Sequence, residues 1–411
     1  MPTPIEHPLS DRLRTCSETV LREQRDMRHL FVGLVCVLIG VGIQMVHSAS
    51  LTSMPSESET AFLSRHLVYL TLAACCGLVA SRISSDMLQQ LARPGLIGLV
   101  ILLCLVLVPG IGSRVNGSQR WLRFADLSFQ PSELGRLILP VVAATLLTEL
   151  RSRGFCLRTI PKMILPLALV LPLVAREPDL GATVFLAAGF LIALFIGGWP
   201  LKYFALSLAV VIPAGASLLI LRSYQMQRIT GFIAAWKDLS QAPWQIRQSI
   251  LSIGAGGLDG TGVGSGWQKL SYLPEANTDF VFAVIGEELG LAGTLTLIII
   301  WTGVLITGQA SLRHLRRDSF AWILGNTLVI QLVLQALANV AVVTAMIPPK
   351  GLPHPFISYG GTNLLVNVVG VGIVVAMTRD VEHFGNVRGP VSAAEVVKSR
   401  EISRNNHGCI G

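Results

Sequence analysis

Ten stretches of this chain are apolar over most of the length needed to cross a bilayer, and they bound every fold it can take. They fall at about 30–46, 66–81, 95–109, 131–149, 161–175, 180–198, 203–221, 281–307, 320–346 and 361–377, separated by charged or Pro/Gly-rich connections. A hydrocarbon core of about 30 Å takes roughly 20 helical residues. The pattern predicts an all-α polytopic membrane protein with ten transmembrane helices, the fifth kinked by Pro166 and Pro172. Charge supports this reading: only 14% of the 411 residues are Asp, Glu, Lys or Arg, against roughly 25% in a soluble domain. A soluble enzyme is excluded.

An even number of spans puts both termini on one side. That side holds 20 of the 32 Lys and Arg residues, so the positive-inside bias places both termini in the cytoplasm. The net charge of +8 then reads as an orientation signal rather than as a nucleic-acid surface. The first run is too long for a cleavable signal peptide and is read as a retained helix. The expected organisation is a cytoplasmic tail over 1–28, a membrane domain over 29–380 and a second cytoplasmic tail over 381–411. A large extracytoplasmic loop, 222–280, joins the seventh and eighth helices. The seven cysteines form no CxxC pair and no metal-ligand spacing.

Cations on the outer side resist the insertion bias and therefore need a reason. Arg114, Arg120 and Arg123 share one outer loop; Arg222, Arg228, Lys237, Arg247 and Lys269 share the long one. They suit an anionic ligand, or pairing with lipid headgroups. The glycine-dense stretch 254–266 lacks the P-loop arrangement; it reads either as a re-entrant loop with amides turned to phosphate or as a tight turn. Asp279 sits at the outer end of the eighth helix, as a cap or as a site residue. Glu287 and Glu288, two turns deeper, each need a partner. Gln331, Gln335 and Asn339, four residues apart, share one helix face and read as interhelical hydrogen-bonding groups.

Five segments taken together resemble the SEDS family (shape, elongation, division and sporulation), the FtsW, RodA and SpoVE proteins of bacteria. They are Arg120-Trp121, the QPSEL of 130–134, the PDLG of 178–181, the YLPEAxTDFxFAxIGEELG of 272–290 and the GLPxPFISYGG of 351–361. The stretch 268–276 is closer to the division-type members. Four positions depart from the family pattern: Asn277 stands for a usual histidine, His354 for a usual leucine, and Glu177 and Ala182 for the glutamine and threonine of QPDLGT.

The resemblance implies a SEDS-type ten-helix fold in the bacterial inner membrane and polymerisation of lipid II into glycan strands at the outer face. It implies catalytic roles for Asp279 and Trp121, with Arg120, Arg123, Arg228, Lys269, Glu275, Gln248 and Ser358 around the substrate. A divalent cation (Mg or Mn) held by Asp279 remains open, because a helix N-terminus and nearby cations should lower its pKa and weaken it as a base. No SxxK or KTG transpeptidase motif is present, so cross-linking falls to a class B penicillin-binding protein, with other divisome proteins as partners. The competing readings are a lipid-linked precursor flippase and a polymerase or ligase of another lipid-linked glycan.

Overall fold

The computed structural model describes residues 8–50, 57–115, 118–124, 127–151, 154–220, 223–267, 275–348 and 350–387. In chain order the helices are α1 (Pro8–Ser50), α2 (Glu57–Ala80), α3 (Ser85–Leu107), α4 (Pro131–Arg151), α5 (Ile160–Arg176), α6 (Leu180–Ile196), α7 (Leu201–Ile220), α8 (Ser223–Lys237), α9 (Trp244–Gly256), α10 (Val281–Leu312), α11 (Phe320–Val343) and α12 (Gly361–Val387). Each apolar run forms the body of one of them. Among the described residues seven helices are long and apolar enough to cross a membrane, and α6 is a shorter apolar helix. Helix α4 departs from that composition because it carries Glu133, Arg136, Glu149 and Arg151.

Packing follows what lipid and core each demand. Leu78 and Val79 of α2, Ile97 of α3 and Ile299 of α10 are exposed, an apolar outer face suited to acyl chains. Helices α11 and α12 are the most buried spans and lie at the centre. The connections α3–α4, α5–α6, α7–α10 and α11–α12 meet at one end of the bundle. At the other end lie the ion pairs Arg93–Glu149 (2.9 Å), Arg151–Asp318 and Arg313–Glu23.

One sequence expectation needs correction. The fold is not all-α: the α3–α4 connection forms an antiparallel sheet of β1 (Gly112–Val115), β2 (Ser118–Phe124) and β3 (Leu127–Phe129), in the order β1-β2-β3. Val115, Trp121, Phe124 and Phe129 suit a pleated surface. The segment ahead of the first apolar run is helical from Pro8 and continuous with that run in α1.

The glycine-dense stretch turns part of its backbone to α10. Helix α10 breaks at Gly290 (φ 64°, ψ −161°), and the 257–262 segment supplies the hydrogen bonds that the break leaves open. Thr261 and Gly262 amides donate to the Glu287 and Glu288 carbonyls (2.9 and 3.0 Å), while Leu291 and Ala292 donate to Gly257 and Leu258 (3.0 and 3.2 Å). A side chain at Gly256, Gly260 or Gly290 would enter the facing backbone. Glu288 accepts from the Ser48 hydroxyl at 2.7 Å, and Glu287 from the Trp267 amide at 2.6 Å, so both buried carboxylates have partners.

Candidate active site

The converging connections enclose a cleft of about 500 Å³, lined by residues from β2, α8, α9, the turn before α10, the α11–α12 connection and the start of α12. Its polar wall is built on Asp179. One carboxylate oxygen caps α6 by accepting the Ala182 amide (2.9 Å). The other accepts from Arg120 (2.7 Å) and from the Gln130 side chain (3.4 Å). This contact fastens the sheet to the α5–α6 connection and aims the arginine into the cleft. Trp121 lines the same wall, its ring 6.0 Å from the Arg120 guanidinium carbon.

Asp279 stands opposite, on the turn that opens α10. Its side chain touches the α11–α12 connection: a Cβ added to Gly351 would lie 2.9 Å from Oδ2. Burial pushes the Asp279 carboxyl up to about 7; the Glu275 and Asp179 carboxylates push the same way, and Arg120 and Arg228 oppose them. The lowered value expected from the cations and the helix terminus is thus overturned, because desolvation outweighs them. A carboxyl titrating near neutrality is poised to take a proton.

The sequence-based site residues divide into three groups. Asp279, Trp121, Arg120, Arg228 and Glu275 line the cleft. Arg123, Gln248 and Ser358 do not. Arg123 lies exposed on β2, outside the cleft lining. Gln248 is buried, one turn along α9 from Gln245, which lines the cleft while Gln248 does not. The Ser358 hydroxyl is buried, accepting the His354 amide (2.8 Å) and donating to the Thr278 carbonyl, so it braces the Asp279 turn rather than reaching a substrate. Lys269 lies outside the described residues.

Lys350 is the residue that sequence reasoning missed. It lines the cleft beside Gly181, and burial pulls its ammonium below the ordinary lysine value, with Asp179 opposing the shift. Glu177 sits behind this wall, fully buried. Burial, reinforced by Asp179, pushes its carboxyl up to about 8 against the pull of Ser132 and Arg120, so it is neutral at pH 7. The metal reading fits only in part. Among the described residues no three His, Cys, Asp or Glu side chains converge, and Asp179 is already engaged. A Mg²⁺ or Mn²⁺ ion at Asp279 would draw most of its ligands from phosphate and water, as Mg²⁺ commonly does.

Below the cleft a buried polar chain crosses the bundle. Arg136 donates to Glu133 (2.7 Å), Gln335 and Asn367 (2.9 Å), and Asn363 closes the circuit by donating to Glu133 (3.1 Å). Such groups inside a membrane are costly unless paired, and here each is.

The cell cycle protein family of FtsW, RodA and SpoVE matches residues 28–383. The chain belongs to this family. FtsW relatives are similar over most of their length. One from Trichlorobacter lovleyi, called a probable peptidoglycan glycosyltransferase FtsW, is 37% identical over 350 residues, covering 83% of this chain and 90% of the relative. One of the same description from Legionella pneumophila is 36% identical over 359 residues, covering 86% and 90%. Among solved structures, the rod shape determining protein RodA of Thermus thermophilus is 26% identical with a TM-score of 0.63, over 85% of this chain and 96% of that one. A chain of a peptidoglycan synthase complex that coordinates polymerization and crosslinking is 26% identical with a TM-score of 0.69, over 85% and 97%. The cleft of this FtsW/RodA/SpoVE chain is therefore built on a fold shared with RodA.

Proposed function

We propose that this chain is a peptidoglycan glycosyltransferase of the FtsW type, polymerising lipid II for septal synthesis at the outer face of the bacterial cytoplasmic membrane. The observation that carries the reading is one cleft holding a near-neutral carboxylate, Asp279, together with the cations Arg120, Arg228 and Lys350.

Glycan extension joins the 4-hydroxyl of a GlcNAc to the anomeric carbon of a lipid-linked MurNAc. As the new C–O bond forms, the bond from that carbon to the diphosphate breaks and its electron pair leaves on undecaprenyl diphosphate. Asp279 accepts the hydroxyl proton. Arg120, Arg228 and Lys350 stabilise the charge that develops on the leaving diphosphate. Trp121 offers a flat apolar face beside them, suited to a sugar ring. A divalent ion, where bound, would share in neutralising the diphosphate.

Helices α1–α7 and α10–α12 are read as ten spans with both termini cytoplasmic, the sheet and the 222–280 loop being extracytoplasmic. The convergence of alternate connections on the cleft, with the ion pairs at the opposite end, supports that topology. Cross-linking is assigned to a class B penicillin-binding protein partner within the divisome. Purified wild type and Asp279→Asn, incubated with fluorescent lipid II and resolved on a gel, test the reaction. Polymer from the first and none from a correctly folded second is expected; wild-type rates from Asp279→Asn would overturn the role given to Asp279.

A further inference from the structure

The polar stripe of α11 ends under the cleft, and its last member touches both halves of the reaction machinery. The Asn339 side-chain Nδ2 donates to the backbone carbonyl of Asp279 and to that of Leu352, each at 2.7 Å. Two carbonyl oxygens against one amide atom fix that atom as the nitrogen, because an oxygen there would face two acceptors. One turn earlier, Gln335 donates to the Pro353 carbonyl at 2.7 Å and accepts from Arg136. Asn339 is fully buried, and a buried carbonyl left without a donor is costly.

The first turn of α10 explains why the Asp279 carbonyl is available. The Ala283 amide donates to Phe280 (2.9 Å), not to Asp279, so the helix ladder starts one residue late. At Leu352 the chain makes a tight turn, its amide donating to the Lys350 carbonyl (2.9 Å). That turn places Lys350 on the cleft wall and Gly351 against the Asp279 carboxylate. The two segments are far apart in sequence, and Asn339 is bonded to both.

We infer that Asn339 is a positioning residue, a pin beneath the cleft that fixes the Asp279 turn against the turn bearing Lys350, and so sets the separation of proton acceptor and cation. It touches no substrate. The inference rests on the role proposed for Asp279. A displacement of about 1 Å in a reacting group costs roughly 100-fold in rate, so loss of the pin should act on turnover rather than on binding.

Asn339→Leu is the direct test: close to isosteric, without donors, and compatible with a membrane helix. Asn339→Ser is the second variant, and Gln331→Leu, on the same stripe but bonded to neither turn, is the control. Lipid II polymerisation by the full chain is measured as kcat, KM and pH profile, with folding followed by size exclusion and thermal melting. The expected result for both Asn339 variants is a 10- to 100-fold loss of kcat with KM within about twofold. The acid limb of the profile should also move to lower pH, because a freed Asp279 becomes better hydrated. The charged groups facing that carboxyl are Glu275 on its own turn, Arg120 on β2, Asp179 before α6, Arg228 on α8 and Lys350 opposite. None of these is altered. Gln331→Leu should keep wild-type kcat.

Wild-type kcat in both Asn339 variants overturns the inference, as does a lowered kcat with an unmoved acid limb. Failure of both variants to fold also counts against it, since the side chain would then be a folding determinant. An active Asp279→Asn protein would instead remove the reading of Asp279 on which the inference depends, so the two failures are distinguishable.

Discussion

Gly351→Ala tests how tightly the cleft holds its carboxylate. The added methyl carbon would lie 2.9 Å from Asp279 Oδ2, whereas ordinary contact begins at 3.4 Å, so the carboxylate must retreat by about 0.5 Å. If 1 Å of misplacement costs about 100-fold, half that displacement costs about tenfold, or about 1.4 kcal/mol of activation free energy. Folding should be untouched to within about 0.5 kcal/mol, because Gly351 is exposed and its backbone is not in the left-handed region. The measurement is the initial rate of fluorescent lipid II polymerisation, with thermal melting in parallel. Gly254→Ala is the control, since a Cβ there meets nothing within 4 Å. A Gly351→Ala rate within twofold of wild type, alongside an inactive Asp279→Asn, would refute the idea that the 350–353 turn holds the carboxylate in place.

Three further outcomes are expected. Polymerisation should rise with pH through about 7, since Asp279 must lose its own proton before it can accept another; a flat profile across that range would exclude it as the base. Glu177→Gln should match wild type at pH 7, where the native acid is neutral. Above about pH 8 it should outperform wild type, in which Glu177 ionises beside Asp179; an unchanged alkaline limb in the variant would refute this. Arg120→Ala should cost about 10- to 100-fold in kcat by removing a leaving-group cation and freeing Asp179, while Arg123→Ala, exposed on the sheet, should stay within about twofold; equal losses would contradict the geometry.

The length of the apolar runs carried the helices, because crossing a hydrocarbon core takes roughly 20 apolar residues. The sheet was harder to see. Its strands are short and carry Arg and Gln between their apolar residues, although Asn116-Gly117 between two of them is a common hairpin signal. Asp279 was visible through the motif around it. Lys350 was not, because one lysine in a proline-rich connection looks like any other outer cation; its meaning comes from a wall supplied by α6. Gln248 was placed at the substrate without knowledge of how deep along α9 the cleft reaches; it stops at Gln245, one turn nearer the helix start, and Gln248 is buried. The Gln331–Gln335–Asn339 stripe was legible as a hydrogen-bonding face. That Gln335 and Asn339 also bond to loop carbonyls depends on how the loops fold back, which spacing within one helix does not encode.

The break in α10 has a bearing on how such chains can be recombined. Gly256, Gly260 and Gly290 each occupy a place where the opposing backbone fills the volume of a missing side chain, and the amides of one segment complete the hydrogen bonding of the other. The 256–262 segment and the start of α10 thus form one interlocked backbone unit. A hybrid that borrows either half from a relative would have to borrow residues 254–292 whole, because the seam runs through the contact and not through the sequence between them.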